Sequence, residues 1–141
     1  MPLLKEIMTP SVEVIAPHAT AADAARKMRD LDVGAIPVCD GEKLVGMVTD
    51  RDLVLRVLAL SRSPVEALVR DAMTPGLVYC FEDQDAEAAA ELMAENQIRR
   101  IPVLSKDKQL VGIVSLGDLA IDGLDARESG EVIHNPSRWG R

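Results

Sequence analysis

The sequence predicts a mixed α+β fold, resembling an α/β sandwich, built from two copies of one βαββα unit. Three short motifs occur in both copies, 65 or 66 residues apart: Met8-Thr9-Pro10 with Met73-Thr74-Pro75, Ile36-Pro37-Val38 with Ile101-Pro102-Val103, and Leu44-Val45-Gly46 with Leu110-Val111-Gly112. A repeat of this kind buries its apolar face against its neighbour. We therefore expect repeats at 1–64 and 65–124, packed through their sheets with pseudo-twofold symmetry as one module.

Composition indicates an acidic protein with an aliphatic core. Of the 141 residues, 48% are hydrophobic, but there is only one Trp, one Tyr and one Phe. This length suffices for one compact module. The net charge of −7 argues against a nucleic-acid-binding surface. No apolar stretch approaches membrane-spanning length, and the first residues lack the apolar centre of a signal peptide. We expect a cytoplasmic protein that binds neither nucleic acid nor membranes.

Local signals place the same elements in both copies. Thr20 and Asp23 have the spacing of a capping box, which predicts a helix over about 20–31. The other predicted elements of the first copy are strands at 12–15, 33–39 and 44–49, a turn at 40–43 and a helix at 50–60. Those of the second copy are a helical turn at 65–72, strands at 77–80, 100–104 and 109–115, and helices at 85–96 and from Leu116. Residues 125–141, including Trp139, are expected to form a mobile tail.

The pattern Gly-x-x-[Ser/Thr]-x-x-Asp crosses a strand-to-helix junction in both copies, from Gly46 to Asp52 and from Gly112 to Asp118. A carboxylate there can accept hydrogen bonds from a ribose diol, and the hydroxyl and free N–H groups suit a phosphate or sugar oxygen. The glycine would let a flat base approach the backbone. However, Ser/Thr-x-x-Asp is also an ordinary capping box that needs no ligand. The spacing alone leaves both interpretations open.

Taken in order and repeated twice, these motifs resemble a tandem pair of CBS (cystathionine β-synthase) domains, a Bateman module, over about residues 5–124. The chain is similar to stand-alone bacterial two-CBS proteins, a group that includes hypoxic-response proteins. The resemblance implies a regulatory module that is not an enzyme and needs no cofactor. It implies an adenosine-containing regulatory ligand (AMP, ADP or ATP) bound between the repeats, a homodimer, and a downstream protein that the sequence does not identify.

The resemblance also implies two ligand clefts, each drawing on both repeats. The first would contain Met47, Thr49, Arg51, Asp52, Leu77, Val78, Arg99, Arg100 and Pro102. The second would contain Val12, Glu13, Gly34, Ala35, Pro37, Ile113, Ser115 and Asp118. The clefts should be unequal, because Arg99-Arg100 corresponds to Gly34-Ala35 and Arg51 corresponds to Gly117. We expect the first cleft to bind the nucleotide more tightly, since its arginines can contact the phosphate.

The sequence is also compatible with other functions. The repeats could form a structural or interaction dimer with vestigial clefts, or sense S-adenosylmethionine or NAD(H). Cys39 and Cys80 have no metal-type spacing and are expected to be buried thiols, although a redox or zinc switch is an alternative. We predict no metal site. An enzyme is disfavoured, because neither His18 nor His134 forms a nucleophile–base pair with a neighbour.

Overall fold

A computed structural model describes residues 2–75 and 77–121, and two compact units divide the chain. Of the described residues, one unit combines 2–12 with 78–121, and it is called here the 78–121 unit. The other comprises Glu13–Leu77 and is called the 13–77 unit. The expected tail at 125–141, with Trp139, lies outside the described residues.

The described elements follow in the order α1 Leu4–Ile7, β1 Thr9–Pro10, α2 Ala21–Leu31, β2 Ala35–Asp40, β3 Lys43–Thr49, α3 Asp50–Leu53, a π-helical turn Val54–Leu58, α4 Val69–Ala72, β4 Cys80–Phe81, α5 Ala86–Asn96, β5 Arg100–Leu104, β6 Leu110–Ser115 and α6 Leu116–Ile121. The structure therefore has the mixed α+β composition predicted from the sequence.

The 13–77 unit is built on the antiparallel hairpin β2–β3. Its turn contains Gly41 at φ 63°, a left-handed conformation that suits glycine. The helix α2 begins as predicted, because Thr20 and Asp23 form reciprocal hydrogen bonds of 3.1 Å between side chain and backbone. The buried face of α2 is small enough to pack closely on the apolar side of the hairpin. The unit's core includes Ala21, Ala24, Met28, Ile36, Val38, Val48, Val57 and Val69.

The 78–121 unit contains a four-stranded sheet in the order β1-β6-β5-β4. The strands β5 and β6 are antiparallel, whereas β4 and β5 are parallel. The helix α5 begins at the N-cap Asp85, whose carboxylate accepts a 3.0 Å hydrogen bond from the Ala88 N–H. The core of this unit includes Leu4, Ala86, Ala89, Met93, Ile101, Val103, Val114 and Leu119.

The opening segment of each sequence copy packs in the compact unit that holds the other copy's sheet. The Leu4 N–H donates to the Gln84 carbonyl at 2.8 Å, and β1 pairs with β6. In the same way, the Val69 N–H donates to the Ala19 carbonyl at 2.8 Å, and the Thr74 N–H donates to the Met47 carbonyl at 2.9 Å. The sequence repeat and the compact unit are therefore different divisions of the chain.

Three predicted elements differ from the structure. Residues 12–14 form no strand, and Ile15 makes only an isolated parallel bridge with Val38. The strand predicted at 77–80 is instead Cys80–Phe81. Both predicted strands begin where the chain passes from one compact unit to the other, so their first residues have no neighbouring strand in their own unit. The helix predicted at 50–60 is a short α-helix followed by a π-helical turn that ends at Leu58.

Candidate functional site

The first junction places a buried carboxylate at the start of α3. The Thr49 N–H donates to Asp52 Oδ2 at 2.9 Å, and the Asp52 N–H donates to Thr49 Oγ1 at 3.0 Å. The Thr74 hydroxyl donates to the other oxygen, Asp52 Oδ1, at 3.4 Å. Asp52 is only 7% exposed. Because a carboxylate offers about four acceptor positions, the capping interaction leaves acceptor capacity for a ligand hydroxyl.

The second junction repeats the capping box at the start of α6. The Ser115 N–H donates to Asp118 Oδ2 at 2.8 Å, and the Asp118 N–H donates to Ser115 Oγ at 3.1 Å. Asp118 is half-buried. Its second carboxylate oxygen accepts no hydrogen bond from residues 2–75 or 77–121. The capping hydrogen bonds are thus present at both junctions, and Asp118 retains more free acceptor capacity than Asp52 among the described residues.

The glycines of the two junctions make room for methionine side chains. A methyl group added at Gly46 would lie 2.8 Å from Met73 Sδ. At Gly112 the same group would lie 2.5 Å from Met8 Sδ and 2.8 Å from the Thr9 carbonyl oxygen. The space that we expected to admit a flat base is therefore occupied by the methionine of a Met-Thr-Pro motif. The expectation that these glycines provide access for the base was wrong.

The residues before the two Pro-Val strands have matching backbone positions but different side chains. The Leu116 N–H donates to the Arg99 carbonyl at 2.8 Å, and Arg100 lies opposite Ser115. In the other unit the Asp50 N–H donates to the Gly34 carbonyl at 3.0 Å, and Ala35 lies opposite Thr49. The conformation is thus the same in both units, whereas only one unit carries cations at this position.

Neither guanidinium of this arginine pair is neutralised within the part of the chain that the structure describes. Arg99 and Arg100 are half-buried, and neither side chain makes an ion pair or hydrogen bond with another described residue. A guanidinium group with no partner inside the protein can bind an anion through charge-assisted hydrogen bonds. This arrangement is suited to a phosphate.

The other predicted ligand residues differ in exposure, and each compact unit holds part of both predicted sets. The 13–77 unit holds Met47, Thr49, Arg51, Asp52 and Leu77 of the first set, and Glu13, Gly34, Ala35 and Pro37 of the second. The 78–121 unit holds Val78, Arg99, Arg100 and Pro102 of the first set, and Val12, Ile113, Ser115 and Asp118 of the second. The Pro37 and Pro102 side chains are buried, whereas Arg51 is exposed.

Glu13 already has a partner in its own unit. Its carboxylate forms a 3.2 Å ion pair with Lys27, whose ammonium group also donates to the Val14 carbonyl at 2.9 Å. These contacts tie residues 13 and 14 to the helix α2. Glu13 therefore helps to hold this segment of the chain against α2.

Sequence reasoning missed Thr74 as a site residue. Its hydroxyl contacts the carboxylate of Asp52, 22 positions earlier in the chain. The available signal was the threonine of Met-Thr-Pro, which occurs in both copies. The corresponding Thr9 is exposed and makes no side-chain hydrogen bond with a described residue. This contact therefore distinguishes the Asp52 junction from the Asp118 junction.

Both cysteines are buried free thiols, as expected. Burial raises the pKa of Cys39 and raises that of Cys80 to about 11, because a low-dielectric interior disfavours the thiolate. Both are therefore protonated near neutral pH. Among residues 2–75 and 77–121, no cluster of three or more His, Cys, Asp or Glu side chains could hold a metal ion. Within the same ranges, no helix has the length and apolarity that crossing a membrane requires.

Comparison with known proteins matches both copies to one family. The CBS domain family matches residues 4–59 and 69–121. The uncharacterized protein YlbB of Bacillus subtilis is 43% identical over 139 residues, which span 97% of this chain and 93% of YlbB. Hypoxic response protein 1 of Mycobacterium tuberculosis is 36% identical over 121 residues, which span 85% of this chain and 84% of that protein.

Solved structures support the same assignment. Hypoxic Response Protein I with two coordinated zinc ions matches with a TM-score of 0.80 and 35% identity, covering 87% of this chain and 100% of that one. CBSX2 of Arabidopsis thaliana in complex with AMP matches with a TM-score of 0.73 and 29% identity, covering 86% and 96% respectively. This chain is therefore a member of the CBS-domain family and contains two CBS repeats.

Proposed function

We propose that this protein is a cytoplasmic regulatory module that binds AMP, ADP or ATP between its two CBS repeats and catalyses no reaction. The observation that carries the proposal is the repeated junction, in which a Ser or Thr and an Asp take the same conformation in both units. The AMP complex of a relative with the same fold supports the choice of ligand.

In the proposed first cleft, Asp52 accepts the ribose hydroxyls. Its carboxylate is held in one orientation by the Thr49 N–H and the Thr74 hydroxyl, so its remaining acceptor positions are fixed in advance. The diol of a ribose offers two adjacent donors, and charge-assisted hydrogen bonds of this kind are stronger than neutral ones. A ligand without the diol should bind this cleft more weakly.

The arginines give the first cleft its preference for phosphate. Arg99 and Arg100 are unpaired within the described residues, whereas the matching positions are Gly34 and Ala35. One charge-assisted hydrogen bond contributes roughly 1.5–3 kcal/mol, equivalent to about a ten- to hundredfold change in affinity. We therefore propose that the Asp118 cleft binds nucleotide weakly, accepts a less anionic adenosyl ligand, or stays empty.

A thermal-shift screen tests the proposal and separates a ligand residue from a simple helix cap. Asp52→Ala and Asp118→Ala each remove the carboxylate half of one capping box, so each should lower stability by roughly 1.5–3 kcal/mol. Ligand stabilisation follows RT ln(1 + [L]/Kd), and AMP should stabilise the wild type and Asp118→Ala but not Asp52→Ala. Stabilisation of Asp52→Ala equal to that of the wild type would contradict the proposal. Preferential stabilisation by S-adenosylmethionine or NAD(H) would redefine the ligand.

An interaction module is the second candidate, and exposed apolar side chains favour it. Val54, Leu55 and Leu58 lie close together on the π-helical turn, and Leu58 is 62% exposed. Leu60 and Val65 are exposed further along the same unit. Exposed apolar clusters are typical of contact surfaces, so we propose a homodimer that uses this turn. If the wild type sediments as a dimer and Leu58→Glu as a monomer, this result would support a dimer interface on the π-helical turn.

The two candidates are separable, because a dimer with vestigial clefts would not respond to nucleotide. Leu58→Glu should retain the AMP-dependent thermal shift if the clefts function within one chain. A wild type that dimerises but shows no shift with any adenosine-containing ligand would favour a purely structural module. The downstream protein would then be sought as a partner of the dimer itself.

A further inference from the structure

We infer that Arg56 is a positioning residue for the Asp52 site and that it acts through Thr74. This inference rests on the proposed nucleotide function. Arg56 lies on the π-helical turn that follows α3, four residues after the junction carboxylate. Its side chain reaches from there to the segment that carries the hydroxyl partner of that carboxylate.

The Arg56 side chain contacts the backbone at two points. One guanidinium nitrogen, Arg56 Nη1, donates to the Ala72 carbonyl at 3.0 Å and to the Met73 carbonyl at 2.9 Å. These carbonyls lie at the end of α4, where the last peptide oxygens of a helix lack helical partners. The arginine satisfies them and thereby fixes the backbone immediately before Thr74.

Thr74 connects this backbone segment to the carboxylate of Asp52. Thr74 exchanges backbone hydrogen bonds with Met47, at 2.9 Å for the Thr74 N–H and 3.3 Å for the Thr74 carbonyl. Its hydroxyl then donates to Asp52 Oδ1 at 3.4 Å. The α3–π segment therefore holds residues 72–74 at two places, through the arginine and through the carboxylate. Loosening the arginine contact should release the hydroxyl and leave the carboxylate less well oriented.

The second junction has no equivalent arrangement in sequence. Counting from Ser115 as from Thr49 places Asp122 where the first junction has Arg56, and an acid cannot make this contact with two carbonyl oxygens. Thr9, the counterpart of Thr74, makes no hydrogen bond to Asp118. Among the described residues, the positioning arrangement thus belongs to the Asp52 junction and not to the Asp118 junction.

The test compares two nucleotides that differ only in the ribose diol. AMP and 2′,3′-dideoxy-AMP are titrated into the wild type, Arg56→Ala, Thr74→Val, the double variant and Arg70→Ala. Losing one oriented hydrogen bond should weaken AMP binding about fivefold in each of the two single variants. The double variant should bind no more weakly than either, because both residues act on one carboxylate. Binding of the dideoxy nucleotide should be unchanged.

Arg70→Ala is the matched control for charge. Arg70 is exposed on α4, and its guanidinium makes no hydrogen bond or ion pair with any described residue. The Arg70→Ala variant should bind both nucleotides with the affinity of the wild type. Arg56→Lys retains the charge and one donor group, so it should restore part of the AMP affinity. Urea unfolding of every variant establishes that each is folded under the titration conditions.

Three results would overturn the inference: an unchanged AMP affinity in Arg56→Ala, an equal loss for both nucleotides, or additive losses in the double variant. If the wild type binds no AMP, the proposed function fails instead. The structural step is then judged by hydrogen exchange at the Thr74 amide. Arg56→Ala should accelerate this exchange relative to Arg70→Ala, and equal rates would refute the positioning role.

Discussion

At the scale of single residues, the two Leu-Val-Gly glycines are packing residues. Gly112 lies under Met8 and close to the Thr9 carbonyl, and Gly46 lies under Met73. The methionine is the flexible part of each contact, whereas the neighbouring carbonyl belongs to a strand or bridge and cannot move freely. These glycines therefore allow the Met-Thr-Pro segment of one copy to lie on the strand of the other.

Gly112→Ala should destabilise the protein by about 1–3 kcal/mol, because overpacking forces a backbone shift. Gly46→Ala should cost less, since its added methyl would lie 3.1 Å from the Thr74 carbonyl rather than 2.8 Å from the Thr9 carbonyl. Urea unfolding measures both. Gly117→Ala is the control, because its methyl would meet only Ser115 Oγ at 3.6 Å. A Gly112→Ala protein as stable as the wild type would contradict this account.

Cys80 should make stability fall at alkaline pH. Its folded pKa of about 11 exceeds the ordinary value of 9.0, so the folded state holds the proton more tightly than the unfolded state. This contribution is fully present below pH 9 and is lost as the pH rises towards 11. The linked free energy is up to about 3 kcal/mol.

The measurement is the stability difference between the wild type and Cys80→Ala across this range. Other groups also titrate there, but they do so in both proteins and cancel in the difference. The advantage of the wild type over the variant should shrink between pH 8 and pH 11. A difference that stays constant would show that the buried thiol does not titrate in this way.

At the scale of secondary-structure elements, the caps and longer strands were predictable and the short segments were not. Thr20 and Asp23 identified the start of α2, and the strand predicted at 100–104 has those bounds in the structure. These elements carry strong local signals within one unit. The two-residue strands β1 and β4 depend on partners distant in sequence, so local periodicity could not locate them.

The candidate site was predictable only where the motif itself carries the side chain. The sequence identified Asp52 and Asp118 and their hydroxyl partners, and the structure confirms the capping bonds. It did not reveal Thr74 or Arg56, because their contacts bridge 16 to 22 positions and depend on the exchange of segments between copies. The packing role of the glycines was hidden for the same reason.

The helix α6 offers a direct test of the difference between the clefts. Gly117 occupies the position of Arg51 and is exposed, and an added methyl group would make only an ordinary contact with Ser115 Oγ. Gly117→Arg should raise helix stability by roughly 0.5–1 kcal/mol and strengthen nucleotide binding at the Asp118 cleft. Gly117→Ala should give the stability gain alone. Calorimetry measures AMP binding at the Asp118 cleft. Equal affinity of Gly117→Arg and Gly117→Ala at this cleft would refute an electrostatic role for position 117.

At the scale of the whole molecule, neither sequence copy contains a complete compact unit. The 13–77 unit needs α4 and the following Met-Thr of the second copy, and the 78–121 unit needs α1 and β1 of the first. Leu4, at the start of α1, is fully buried in the core of the 78–121 unit. The repeats should therefore fold together, because each compact unit needs segments of both copies.

The same duplication produces two junctions with equal conformations and unequal surroundings. Asp52 is buried and contacts Thr74, whereas Asp118 is more exposed and has no such partner among the described residues. Arg99 and Arg100 have no cationic counterpart at Gly34 and Ala35. If the proposed function is correct, these differences should make the Asp52 cleft the nucleotide sensor and leave the Asp118 cleft weak.

Isothermal titration of AMP into the ligand-free protein tests this claim most directly. We predict one tight site per chain, weakened at least about tenfold by Arg100→Ala, since that change removes a charge-assisted hydrogen bond. Any second site should be much weaker and should not respond to the substitution. Two AMP sites of equal affinity, or an Arg100→Ala protein that binds AMP like the wild type, would contradict the account.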